Sequence, residues 1–217
     1  GNGNNVVSTG DGNDTIAAGT GDDSIDAGAN DDVITLNAGT NTLDAGTGAD
    51  TITLGTGTDS VNANAGADLI QANGNLTVAD TINGGADVDK LTITADNAAT
   101  DLDNVTNVET IELLAGASGD FVYTISNSSA FDVDATGVTI DADALTTQAL
   151  NFSATNLNRA ITILSGAGND TIVDGAGDDS IVTNAGADSV TLSGNGNNVV
   201  STGDGNDTIA AGTGDDS

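Results

Sequence analysis

The stretch Gly10–Ile34 reads GDGNDTIAAGTGDDSIDAGANDDVI, and its spacing decides the fold. Ile16, Ile25 and Ile34 recur every nine residues, each with an aspartate two places before it: Asp14, Asp23 and Asp32. Nine is the period of neither a helix nor a strand. Two such units give turn, strand, turn, strand, which is one closed coil. Gly-rich segments turn the chain because glycine tolerates φ > 0. The acid–spacer–hydrophobe triplet that follows makes a short strand with its hydrophobe inward. Stacked coils then pair their strands in parallel and pile the hydrophobes into a narrow apolar column.

Outward from this stretch, the hydrophobes continue as Leu43, Ile52, Val61 and Ile70, with Asn41, Asp50, Asp59 and Asp68 two places before them. A second series reads Ile172, Ile181, Val190, Val200 and Ile209, preceded by Asp170, Asp179, Asp188, Asn198 and Asp207, with one extra residue before Val200. Some strands add a second inward residue, as in VITL (Ile34, Leu36), TITL (Ile52, Leu54) and SVTL (Val190, Leu192).

These units resemble the calcium-binding nonapeptide G-G-x-G-x-D-x-U-x of the RTX family. The first Gly is often Ala, Thr or Ser, and the resemblance covers about 1–91 and 165–217. It implies an all-β fold, a right-handed parallel β-roll or β-solenoid, with an ion between adjacent turns held by both aspartates and by turn carbonyls. The ligands it implies are Asp14, Asp23, Asp32, Asp50, Asp59, Asp68, Asp89, Asp170, Asp179, Asp188 and Asp207. The carbonyls lie near Gly10, Gly12, Gly19, Gly21, Gly28, Gly46, Gly48, Gly55, Gly57, Gly66, Gly166, Gly168, Gly175, Gly177, Gly186, Gly203 and Gly205. The cofactor is Ca²⁺, at roughly five to ten ions per copy. Asn41 and Asn198 stand in place of the acid and predict weaker sites. The likeness also implies type I secretion and an extracellular, bacterial-surface location.

Electrostatics leads to the same ion. The formal net charge is −31, with Lys90 and Arg159 the only cationic side chains. Coil stacking puts Asp14, Asp32, Asp50 and Asp68 on one edge and Asp23, Asn41 and Asp59 on the other. Two carboxylates at ~4 Å repel by about 4 kcal/mol at an effective dielectric of ~20. A divalent cation removes that cost, and hard oxygen ligands select calcium. Asp is used almost throughout, Glu109 and Glu112 being the only glutamates, because a short carboxylate reaches an ion lying against its own turn. Asp96, Asp101, Asp120 and Asp143 fall out of phase and read as turn or surface acids. Asp80 follows a register break at GNLTVAD and is intermediate. Asp22, Asp31 and Asp178 add local negative potential. Without calcium, disorder is the competing state for so acidic a chain.

From Leu91 to Leu164 the nonapeptide gives way to alternating strands: LTITA, VETIEL, FVYTI, FDVDA, VTIDA, ALNFSA and AITIL. This predicts three segments: an RTX block at 1–91, a calcium-poor β-solenoid or sandwich-like segment at 92–164, and a second RTX block at 165–217. Phe121, Tyr123, Phe131 and Phe152 all lie in the middle and read as core. NVETIEL, VTIDADAL and ITILSGAGNDTI resemble segments of bacterial S-layer and other large RTX surface proteins.

Residues 1–24, GNGNNVVSTGDGNDTIAAGTGDDS, recur unchanged as 194–217, an offset of 193 residues. The chain therefore reads as one period of a tandem array with the start of the next copy. The absence of an initiating Met and of a signal peptide reads as a segment excised from a longer protein. The expected partners are neighbouring copies of the same repeat, with cell-surface polysaccharide a second candidate. The charge repels nucleic acid, and no run reaches a membrane span. With no His or Cys and one Lys and one Arg, nucleophile–base pairs have almost no members, so no enzyme is expected. Two readings follow: a calcium-rigidified structural repeat of a fibre, sheath, S-layer-like coat or adhesin stalk, or an adhesion module binding glycan, cell surface or ice. The outward positions Asp11, Thr20, Ala29, Ala38, Thr47, Thr56 and Ala65 are too irregular for a flat lattice match to ice.

Overall fold

The computed structural model describes residues 1–94, 102–115, 119–126, 131 and 137–217. Within them the chain is built of strands and turns. The first block forms β1 (Val6–Asp11), β2 (Thr15–Ala17), β3 (Ser24–Ala29), β4 (Val33–Thr35), β5 (Ala38–Thr47), β6 (Thr51–Thr53), β7 (Thr56–Ala65) and β8 (Leu69–Asn73). There follow β9 (Thr81–Ala86), β10 (Lys90–Ile93), β11 (Val105–Thr106), β12 (Thr110–Leu113), β13 (Phe121–Thr124), β14 (Val138–Asp141), β15 (Leu150–Ser153) and β16 (Ile161–Leu164). The second block holds β17 (Thr171–Val173), β18 (Ser180–Val182), β19 (Ser189–Thr191), β20 (Val199–Ser201) and β21 (Thr208–Ala210).

Every second strand stacks on the last, so the chain winds as a parallel β-solenoid of about 10 turns. The first sheet runs β1-β3-β5-β7-β9-β11, the second β2-β4-β6-β8-β10-β12-β14-β16-β18-β20, and the third β13-β15-β17-β19-β21. The register is set by the inward hydrophobes. Ile16 lies over Ile34, Ile34 over Ile52 and Ile52 over Ile70 in the second sheet. Ile25, Leu43, Val61 and Ile82 form the matching column of the first sheet. All eight are buried in one core, and each buried Ile contributes roughly 1.5–3 kcal/mol. The second inward residues Leu36, Leu54 and Leu192 join them. A slip of one residue would turn every hydrophobe outward, so the column enforces the stacking.

Two glycines show why the turns need them. Gly46 sits at φ 109°, and a Cβ there would lie 1.8 Å from the Gly28 carbonyl oxygen. Gly55 has no such φ, yet its Cβ would lie 1.1 Å from the Asn37 oxygen. Coils stack so closely at the edge that backbone meets backbone. Asn30, Asn37, Asn64 and Asn184 occupy equivalent places with positive φ, Asn being the side chain that best tolerates that region.

The second sheet crosses the boundaries expected near 92 and 164 without a break: Ile70 pairs with Leu91, Leu91 with Ile111, Ile111 with Ile140, Ile140 with Ile163, and Ile163 with Ile181. Coils here are longer, and a third side appears with β13. Phe121, Tyr123, Phe131 and Phe152 are buried, with the first two rings stacked at 6.3 Å. Most of FDVDA, the last residue of LTITA, and Asp96 and Asp101 lie outside the described residues. The two cations are structural here: Lys90 Nζ lies 3.5 Å from a Glu112 carboxylate oxygen, and Arg159 donates to the Phe131 carbonyl at 2.7 Å. No helix among the described residues is long and apolar enough to cross a membrane.

Candidate metal centre

The phased acids immediately precede a strand, at the point where the turn enters the coil, except Asp59, which lies within β7. Their backbone is already held there. The Asp32 carbonyl accepts from Thr51 N–H and the Asp50 carbonyl from Leu69 N–H, both at 2.8 Å. The side chain is therefore fixed under the next coil, and nearly every one is buried.

The two carboxylate oxygens do different things. Along one edge the Oδ1 atom accepts the backbone N–H of the acid one coil earlier: Asp14 N–H donates to Asp32, Asp32 to Asp50, Asp50 to Asp68 and Asp68 to Asp89, at 2.7–2.8 Å. On the other edge Asn5 N–H donates to Asp23 at 2.8 Å and Asp59 N–H to Asp80 at 2.7 Å. In the second block Leu150 donates to Asp170, Ile161 to Asp179, Asp170 to Asp188 and Asp188 to Asp207. The Oδ2 atoms of Asp14, Asp23, Asp32, Asp50, Asp68, Asp89, Asp179 and Asp188 are buried and have no hydrogen-bond partner. A buried, unpaired carboxylate oxygen is costly to keep, so its repetition marks a place for a cation.

Three of the expected ligands differ. Asp59 Oδ2 accepts from Gly55 N–H at 3.2 Å, Asp170 Oδ2 accepts from the Ser165 hydroxyl, and Asp207 lies half-buried near the end of the stack. Asn41 explains itself. Its Oδ1 accepts from Asp23 N–H at 3.1 Å, and its amide donates to Asp59 Oδ1 at 2.8 Å. The amide protons stand where an acid would leave an orphan oxygen, so this rung needs no cation.

Desolvation and stacked charge push the carboxyls up. Burial raises Asp68 to about 6, with the Asp50 and Asp87 charges adding to it. Burial likewise raises Asp89 and Asp179 to about 7, helped by Asp68 and Asp174 respectively. Asp50, Asp59 and Asp170 are raised for the same first reason.

Sequence reasoning left Asp80 intermediate and passed over Glu109, Asp216 and Asp174. Asp80 is buried and completes the rung above Asp59, its second oxygen accepting from Thr77 at 2.7 Å. Glu109 ends the other ladder, its Oε2 accepting Asp89 N–H at 2.7 Å. Asp216 accepts from Asn198 N–H at 3.2 Å. The signal for the first two was the triplet acid–Thr–Ile, which Asp80-Thr81-Ile82 and Glu109-Thr110-Ile111 share with Asp14-Thr15-Ile16. Asp174 is fully buried with an orphan Oδ2 and lies against the Asp179 carboxyl; it takes the place of the first small residue of its unit, which gives no ligand signal.

Beyond Glu109 the acid's position in the middle segment turns apolar. The strand registers align Leu150 with Asp170, Ile161 with Asp179, and Val138 with Ile161. Phe121, Val138, Leu150 and Ile161 are all buried. These coils close their edges by packing hydrophobes where the blocks place carboxylates. Among the described residues no three acidic side chains converge on one point, so each candidate centre draws on one or two carboxylates with backbone oxygens completing it.

Residues 1–34, 35–70, 164–194 and 192–217 match the RTX calcium-binding nonapeptide repeat, in four copies. The chain belongs to the RTX calcium-binding nonapeptide repeat family. Searches of curated proteins and of solved structures gave no match. RTX repeats bind calcium, and the family is typical of proteins exported by type I secretion. The RTX donor set fits that ion here: hard oxygens, buried, unpaired, and uncompensated by Lys or Arg. Bound calcium would supply positive charge between coils. Asp14, Asp23, Asp32, Asp50, Asp68, Asp89, Asp179 and Asp188 would hold it through Oδ2, while their Oδ1 atoms keep the backbone register.

Proposed function

We propose that this chain is a structural repeat of an extracellular bacterial surface assembly, a fibre, sheath, S-layer-like coat or adhesin stalk, which folds and stiffens on binding calcium. The observation that carries this reading is the recurrence of residues 1–24 as 194–217, both copies forming coils of one solenoid. A repeat whose last coils are also the first coils of the next copy needs no cap, so copies join into a continuous acidic rod. The partners are further copies of the same unit, and the role is mechanical rather than catalytic.

The orphaned carboxylates support a calcium-timed fold. In a calcium-poor cytosol their repulsion keeps the chain unfolded and suited to export. Outside, sites of ~10⁻⁴–10⁻³ M affinity fill, and binding energy becomes folding energy. Circular dichroism during chelator and calcium titration tests this: a β spectrum that chelator leaves unchanged refutes it. Electron microscopy of the native assembly tests the architecture. A filament supports the rod, and a lone globular tip on a separate stalk supports adhesion instead.

A further inference from the structure

The duplicated residues do not occupy the same address in the coil. Val6–Ser8 lie in β1, at the start of the first sheet, but the identical Val199–Ser201 form β20, at the end of the second sheet. Thr15–Ala17 form β2 and open the second sheet, but Thr208–Ala210 form β21 and close the third. One sequence thus stands in two places, half a coil apart. The cause lies between them. The second sheet is unbroken from β2 to β20, whereas among the described residues the last strand of the first sheet is β11 and the third sheet begins at β13.

We propose that successive copies join by exchanging sheets: the second sheet of one copy runs on as the first sheet of the next, and the third runs on as the second. This rests on the tandem reading above. At the joint β20 serves as β1 of the next copy and β21 serves as its β2. The strands that follow are given by this chain's own N-terminal pairings, Val6 with Ser24 and Thr15 with Val33.

The open end has the shape this requires. Ile209 is 48% exposed, and Leu192, Val200 and Ile209 line an apolar cleft of about 190 Å³. Ile16, the identical twin of Ile209, is only 6% exposed because the coil of Ile34 lies on it. A following copy brings that same coil to Ile209, so the occupant of the cleft is a second copy of this chain.

The consequence is mechanical. Each sheet starts as the third sheet of one copy, passes through the second sheet of the next, and ends as the first sheet of the copy after. Every joint is then crossed by two sheets whose ends lie elsewhere, as in bricks laid in running bond. Neighbouring copies are also offset by half a coil, so the added side of the middle segment leaves the rod on changing faces.

The chain has no cysteine, so paired cysteines report strand neighbours in an extended chain, residues 1–193 followed by 1–217. The first pair is Ser180→Cys in copy one with Val6→Cys in copy two, the residue that stands at 199 in the present chain and pairs there with Ser180, which reads the joint. The second is Thr110→Cys with Thr139→Cys within one copy, partners in the unbroken second sheet. Both disulfides are expected to form in calcium, with the β spectrum of the parent retained. A strand-resolving cryo-EM map of the same chain should show β18, β20 and the second copy's β3 in one sheet. Failure of the second pair with the first intact, or a map in which the second sheet continues as the second sheet, overturns the exchange and leaves the rod. Two separate bodies without the first crosslink overturn both.

Discussion

The amide of Asp32 donates to Asp50 Oδ1 at 2.8 Å, while Asp50 Oδ2, buried beside it, has no partner. One carboxylate thus splices two coils and also offers a bare oxygen to whatever lies between them. That division of labour makes calcium dependence readable one residue at a time.

The fold without calcium should prefer acid. Asp68, Asp89 and Asp179 titrate near 6 to 7 in the folded chain, against about 3.9 in an unfolded one. A raised folded pKa means the fold binds more protons, so its stability is complete at low pH and is lost as pH rises from about 4 through 7. Thermal melts in chelator at pH 4.5 and 7.5 should show the higher midpoint at pH 4.5, and excess calcium should reverse the order. Equal melts in chelator would contradict the buried-carboxylate account.

Asp32→Ala removes both the splice to Asp14 and the bare oxygen. It should raise the calcium midpoint of folding by about tenfold, the effect of ~1.4 kcal/mol. Asp143→Ala should leave the midpoint unchanged, because Asp143 is exposed and off both ladders. Calcium titration followed by circular dichroism compares them, and equal shifts would remove the site assignment.

Asn41→Asp is the inverse experiment. It takes away the amide that donates to Asp59 and creates one more orphan oxygen. In chelator the variant should be less stable than the parent, by about 1–3 kcal/mol for the unsatisfied group. In saturating calcium the gap should close, and calorimetry should count more bound calcium than in the parent.

Asp174→Ser copies the Ser165 position, where a hydroxyl donates to the phased aspartate. It relieves the Asp174–Asp179 carboxyl contact. The variant should therefore melt higher than the parent in chelator at pH 7.5. An unchanged or lower midpoint would mean that the contact costs nothing.

Gly46→Ala should destabilise with and without calcium alike, by about 1–3 kcal/mol, because its Cβ would strike the Gly28 carbonyl at 1.8 Å. Chemical denaturation in both buffers measures it. A loss confined to calcium would point to a ligand role for this turn in place of a steric one.

The sequence by itself determined the coil in both blocks. Ile16, Ile34, Ile52 and Ile70 stack as their nine-residue phase requires, and Asp14, Asp32, Asp50 and Asp68 follow, because a slip of one residue between coils would turn the inward hydrophobes to solvent. Tertiary structure decided what phase could not carry across insertions. Asp80 and Glu109 enter ladders although 21 and 20 residues separate them from Asp59 and Asp89, since their register is fixed by hydrogen bonds to a coil already in place. It also decided that identical residues, Val6 and Val199, belong to different sheets. A strand's side depends on the half-coils wound before it, and that count is a property of the whole path between the two copies, which neither copy contains.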